Sequence, residues 1–179
     1  MVRVLARVLY RIEIVGRIPA GPCIVAANHE SLLDPPLLAL AARQPLRFLA
    51  KEELWSNRVG AWSMEAFGAV PVARGREGYL AIDRAEELLR AGETVAIFPE
   101  GTVSGGTWTR GAARLALATG LPLVPARISG TAKAFSRGQF GFPRIRIVVG
   151  EPIAIEQVPP TVAAARDLTR ILQERVESL

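Results

Sequence analysis

The chain has a single histidine, His29, so any imidazole chemistry must run through it. It stands in Asn28-His29-Glu30-Ser31-Leu32-Leu33-Asp34-Pro35-Pro36, just past the apolar run 23–27. Asp34, five residues on, suits two tasks. Before Pro35 it has the pattern of an N-cap followed by proline at the first helical position, opening a helix through 37–43. Alternatively its carboxylate meets the imidazole, fixes the tautomer and stabilises the protonated ring, leaving the other nitrogen as a general base. On a regular helix the two side chains would lie about 140° apart, so pairing needs an irregular turn between them, and the prolines favour a break there. Spacing alone leaves both readings open. Cys23 and Ser31 are the covalent nucleophiles within reach of this segment; the first reads as strand core and the second as a turn residue.

A second chemical feature follows the apolar run 94–98. Pro99-Glu100-Gly101-Thr102-Val103-Ser104-Gly105-Gly106-Thr107 offers small residues with free backbone N–H groups after a strand, a common way to cradle phosphate. It is neither a Walker A loop, since Lys and Ser/Thr do not follow Gly106, nor the dinucleotide fingerprint. Glu100 opposes phosphate but suits hydroxyl groups.

Charge supports an anionic partner. The net charge is +5, and residues 101–150 contain Arg110, Arg114, Arg127, Lys133, Arg137, Arg144 and Arg146 with no Asp or Glu. The excess therefore lies entirely in that stretch, as a solvated basic face or as a site for anions. One cysteine and one histidine exclude an internal disulfide framework and the common His/Cys zinc sites. No helix-turn-helix, RNP or zinc pattern accompanies the basic charge, which argues against nucleic acid.

The elements that must hold these residues read as one α/β domain over 1–179, with a mostly parallel central sheet flanked by helices. Apolar strand candidates recur at 22–27, 46–50, 69–73, 94–99, 123–128 and 145–149. Helical periodicity covers 78–91, with Leu80, Ile82, Ala85, Leu88 and Leu89 on one face, and 109–119, closed by Gly120 and Pro122. A last helix over 161–178 turns Val162, Ala165, Leu168, Ile171, Leu172 and Val176 inward. Residues 1–13 form an amphipathic helix, Val2, Leu5, Ala6, Val8, Leu9 and Ile12 opposing Arg3, Arg7 and Arg11. Such a helix packs on the core or lies on an anionic membrane surface. No uncharged run exceeds twelve residues, too short to span a bilayer.

Four segments in order resemble the motifs of the glycerolipid acyltransferases, bacterial 1-acylglycerol-3-phosphate acyltransferases above all. They are Asn28-His29-(x4)-Asp34, Gly68-Ala-Val-Pro-Val-Ala-Arg74, Phe98-Pro-Glu-Gly-Thr102 and Leu121-Pro-Leu-Val-Pro125. Arg110-Gly-Ala-Ala-Arg-Leu-Ala116 is also similar to the family's stretch before its fourth motif. The resemblance implies acyl transfer from acyl-CoA or acyl-carrier protein to the sn-2 hydroxyl of 1-acylglycerol 3-phosphate (lysophosphatidic acid), giving phosphatidic acid without a cofactor or metal. It makes His29 the base and Asp34 its orienting partner. It puts Asn28, Arg74, Glu100, Gly101, Thr102, Arg110 and Pro125 on the substrate side. One departure is Val103, where the family often has Arg, which bears on the acceptor head group.

Other acceptors, glycerol 3-phosphate or another lysophospholipid, fit the same motifs. A Ser31/His29 lipid hydrolase and a non-catalytic basic module are the readings from other classes. A lipid product and the amphipathic start imply a cytoplasmic protein, peripheral on the inner face of the cell membrane.

Overall fold

An unbroken apolar run is what a strand covered on both faces requires, and Ile24–Ala27 (β2) is buried at every position. In this computed structural model β2 lies at the centre of the sheet; the structure describes residues 11–72, 77–101, 103, 106–133, 135–136, 139–140, 143–155 and 159–179. Leu46–Lys51 (β3), Ala69–Val72 (β4), Thr94–Ile97 (β5) and Leu123–Ser129 (β6) join β2 in a parallel block ordered β6-β2-β5-β3-β4. Two further strands extend the sheet past β6. Arg146–Val149 pairs antiparallel with β6, and Glu13–Val15 (β1) pairs parallel with that strand, which makes seven in all. Phe135–Ser136 (β7) and Gln139–Phe140 (β8) form a separate antiparallel pair, so Arg146–Val149 is β9.

Side chains alternate across β2 with the strand period. Val25 and Ala27 face a core with Phe48, Val124 and Ile128, covered by Leu37 and Leu38 of Asp34–Leu38 (α1) and by Ala41 of the 3-10 turn Ala39–Ala41. Ile24 and Ala26 face the opposite core. There Leu88 and Leu89 come from Glu77–Arg90, Leu115 from Gly111–Thr119, and Leu172 and Val176 from Val162–Glu177. Counting Arg58–Ala66 between β3 and β4 as α2, these three helices are α3, α4 and α5. Gly120 closes α4 with φ +68, returning its N–H to the Ala116 carbonyl at 2.8 Å.

Each of the strands predicted from the sequence is present, and the sheet is mostly parallel as expected. Several expectations need correction. Arg11 has φ 43 and Glu13–Val15 is a strand, so a helix over 1–13 cannot reach its expected end; residues 1–10 lie outside the described residues. Val162 and Ile171, expected inward, are exposed. Val162, in the first turn of α5, lines the open cavity beyond the strand ends and is not part of the core. The helix predicted over 37–43 begins at Asp34, and α2 and β1 went unpredicted.

The topology leaves a crevice where chemistry can sit. β2 and β5 are neighbours, yet α1 after β2 packs on one face while α4 after β5 packs on the other. Adjacent strands whose following helices leave to opposite faces open a gap at their carboxyl ends, the usual ligand position in such sheets.

Candidate active site

The chain leaving β2 is anchored before it turns. Asn28 donates from Nδ2 to the Ile128 carbonyl at 2.8 Å and accepts at Oδ1 from the Ile128 N–H at 2.7 Å, tying the end of β2 to β6. Asn28, expected on the substrate side, thus spends its amide on backbone and acts by placing His29.

Beyond Asn28 the chain makes an irregular turn, and the turn brings His29 and Asp34 together. His29 Nδ1 lies 2.9 Å from Asp34 Oδ2, and the same oxygen accepts from the Glu30 N–H at 2.6 Å and the Ser31 N–H at 2.7 Å. Asp34 is fully buried and His29 14% exposed at its side chain. Two backbone N–H groups and the imidazole nitrogen thus converge on one buried oxygen. The capping alternative is thereby overturned. Leu33 is the N-cap, without a side-chain cap bond, and Asp34 is the first residue of α1 with its carboxylate folded back onto the preceding turn. Against a carboxylate, Nδ1 carries the proton and Nε2 is the basic nitrogen. Positive charge formed when Nε2 takes a proton is stabilised by the buried anion. The second oxygen, Oδ1, is buried without a hydrogen-bond partner among the described residues.

β5 supplies the facing wall. Phe98, the residue after its last, stacks on the His29 ring with centroids 4.3 Å apart and planes at 23°, and Phe48 of β3 lies beyond it at 6.4 Å. Glu100 Oε1 accepts from the His29 N–H at 3.3 Å, so this carboxylate reaches the backbone of the histidine turn. The turn is held by the Gly101 N–H on the Phe98 carbonyl at 3.0 Å, with Gly101 at φ +69, a conformation that favours glycine. Thr109 N–H closes onto the Pro99 carbonyl at 2.8 Å.

His29 and Phe98 open on a cavity of about 1110 Å³ beyond the strand ends. Gly101, Arg110 and Arg114 line it, while Ile82, Ile97 and Trp108 give it an apolar wall. Two helix starts also reach it, through Gly111 of α4 and Thr161 before α5. Arg74 and Thr102 lie outside the described residues. Pro125, expected to contact substrate, is buried in β6 beside Ala26 and does not line this cavity. The basic stretch does not form one patch among the described residues. Arg127 bonds the Glu177 carbonyl at the end of α5, and Arg144 pairs with Glu13 at 3.1 Å on the sheet edge; only Arg110 and Arg114 reach the cavity.

Neither alternative nucleophile is placed for attack. Cys23 is buried before β2, and burial pushes its thiol pKa up, partly offset by a hydrogen bond with Thr94. Six extended residues set it about 20 Å along the chain from His29. Ser31 Oγ accepts from the Leu33 N–H at 3.3 Å, within the turn. In the sequence Phe98 stands out only as the first residue of the third motif; an aromatic ending an apolar strand is its one signal.

Comparison with known proteins converges on one family. A family model described as Acyltransferase matches residues 11–129. A chloroplastic 1-acyl-sn-glycerol-3-phosphate acyltransferase of Brassica napus is 33% identical over 80% of this chain and 45% of its own length. A lyso-ornithine lipid O-acyltransferase of Pseudomonas aeruginosa is 35% identical over 59% of this chain and 41% of its own. The chain thus spans less than half the length of either relative. The crystal structure of a 1-acyl-sn-glycerophosphate (LPA) acyltransferase from Thermotoga maritima superposes with a TM-score of 0.75 at 26% identity, covering 99% of this chain and 77% of that one. With the family model matching well over half of its residues, the chain belongs to the acyltransferase family.

Proposed function

We propose that the protein moves a fatty acyl chain from a thioester, acyl-CoA or acyl-carrier protein, to the sn-2 hydroxyl of 1-acylglycerol 3-phosphate, giving phosphatidic acid. The observation that carries this reading is the His29–Asp34 pair at the head of a cavity with a basic side and an apolar side. An alcohol is a poor nucleophile at neutral pH, whereas a thioester is an activated donor, so proton removal and alignment suffice. His29 Nε2 takes the hydroxyl proton as the oxygen attacks the thioester carbonyl. The ester C–O bond forms, the C–S bond breaks, and the proton passes to the departing thiolate. Asp34 holds Nδ1–H throughout and offsets the transient imidazolium charge.

Arg110 and Gly101 serve the acceptor phosphate, a role the motif resemblance also gives to Arg74 and Thr102. Ile82, Ile97 and Trp108 accept acyl carbons, where burial releases about 0.8 kcal/mol per methylene. No helix among the described residues is long and apolar enough to cross a membrane. The basic amphipathic pattern of residues 2–12 supports attachment to the anionic inner face of the cell membrane.

A labelled acyl thioester, offered with 1-acylglycerol 3-phosphate, glycerol 3-phosphate and lyso-ornithine lipid, tests the reading. Labelled phosphatidic acid is the expected product. Transfer to lyso-ornithine lipid alone would favour the second acceptor, which the apolar Val103 in place of arginine and the Pseudomonas relative support. Free fatty acid released without acceptor would identify a hydrolase instead. Pelleting with phosphatidylglycerol vesicles tests the surface, and recovery wholly in the supernatant would remove it.

A further inference from the structure

The pairing with Asp34 fixes His29 at one point only. A hydrogen bond at Nδ1 sets which nitrogen carries the proton, but the ring can still swing about that contact, and Nε2 is the atom at the far side of the swing. Restraining its direction takes a second contact, against the face of the ring.

The sheet supplies one. β2 and β5 run parallel with Ala26 beside Ile97, so Phe98 comes level with Ala27, two residues before His29. Ala96 and Phe98 belong to the same sheet face as Val25 and Ala27, and Phe48 of β3 packs on that face too. His29, Phe98 and Phe48 therefore form an aromatic row across three neighbouring strands, with centroid separations of 4.3 and 6.4 Å and interplanar angles of 23° and 13°. Phe98 is itself held between the rigid end of β5 and the turn in which Gly101 N–H returns to its carbonyl. The two phenylalanines are apolar and add no proton path; their contribution to His29 is a flat wall.

The geometry points to Phe98 as a positioning residue for the general base: its ring holds the His29 imidazole in the plane that aims Nε2 into the cavity. This rests on the proposed acyl transfer for its kinetic consequence, but the ring contact is measurable without any reaction. Aiming matters because small misplacement of a reacting group costs up to about 100-fold in rate. A wall that acts on the base, and not on the acceptor, changes kcat more than KM.

The test compares Phe98→Leu, which keeps apolar volume but loses the flat face, with Phe98→Tyr, which keeps the face. His29 is the only histidine, so its ring signals in an NMR spectrum need no assignment by mutation. In the unaltered protein the stacked phenyl shifts the His29 ring protons upfield. Phe98→Leu abolishes that shift and lowers kcat by about 10- to 100-fold with KM nearly unchanged, while Phe98→Tyr retains both shift and rate. Thermal melting of each variant establishes that it is folded. A folded Leu variant with unaltered kcat, or one whose His29 signals match the unaltered protein's, overturns the proposal. So does a change confined to KM, which would make Phe98 a substrate contact. Failure of acyl transfer in the unaltered protein would count against the proposed reaction, while the NMR comparison would still decide the contact.

Discussion

The two ends of one sheet each hold a polar cluster, and they are built to opposite standards. At the amino end, Gln44 closes a ring with a single glycine. Its Oε1 accepts from the Gly21 N–H at 2.9 Å and its Nε2 donates to the Gly21 carbonyl at 2.6 Å, while Thr94 Oγ1 donates to the same carbonyl at 2.9 Å. None of these residues reaches the cavity. At the carboxyl end, Asp34 Oδ2 meets two backbone N–H groups and the imidazole while Oδ1 has no partner among the described residues, and the imidazole opens on the cavity. A cluster whose capacity is fully used holds the chain. One with capacity left over, beside an open volume, can act on something else.

The contrast breaks most visibly at His29. His29→Ala should lower kcat by about 1000-fold or more, within the range of general base catalysis, with the melting temperature close to that of the unaltered protein. Appreciable residual turnover would sink the base assignment. Asp34→Asn comes next, at about 100- to 1000-fold in kcat. Its amide oxygen can still accept the Glu30 and Ser31 N–H groups, so the turn survives. The amide cannot stabilise an imidazolium as a carboxylate does. Full turnover at unaltered stability would return Asp34 to a structural role. Arg110→Ala should act through KM for a phosphate-bearing acceptor, raising it about tenfold as one charge-assisted contact is lost, with kcat little changed. An equal loss with an uncharged acceptor would show that Arg110 shapes the cavity and does not recognise charge.

How far the sequence revealed these ends depends on the kind of signal each carries. The strands were legible because a parallel strand buried on both faces must be apolar at every position, as β2 is. His29 and the loop after β5 were legible because the carboxyl ends of such strands are where ligands collect. The pairing of His29 with Asp34 was not decided by spacing, since a helix would separate them; backbone N–H groups of Glu30 and Ser31 settle it, and backbone geometry leaves no letter in the sequence. The anchoring of Asn28 was hidden for a related reason. Its partner is the backbone of Ile128, a hundred residues away and invisible as a residue type. The basic stretch stayed open between two readings because neighbours in sequence part company in a sheet: Arg114 lies on a helix by the cavity and Arg144 on the far edge. The helix α2 lacks a long apolar face and announces itself only by the Asn57 cap, whose Oδ1 accepts from the Gly60 N–H at 2.8 Å.

The smallest expected effect on chemistry belongs to the amino end, and it is the sharpest check on the contrast. Gln44→Ala leaves the half-buried Gly21 N–H without its acceptor, a loss worth about 0.5–1.5 kcal/mol of stability. For a chain of this size that is about 2–4 °C of melting temperature for each kcal/mol. The register of β2 should hold regardless, because Ile24 N–H bonds the Pro122 carbonyl at 3.0 Å and Val95 N–H bonds the Cys23 carbonyl at 3.1 Å, neither of which involves Gln44. With β2 in place, Asn28 still meets Ile128 and His29 still meets Asp34. The kcat measured per folded molecule should therefore stay within about twofold, since sites this far apart with no shared partners act independently. A Gln44→Ala variant that lost turnover in the manner of Asp34→Asn would mean that the sheet transmits strain from one end to the other, and the separation of holding from acting would fail.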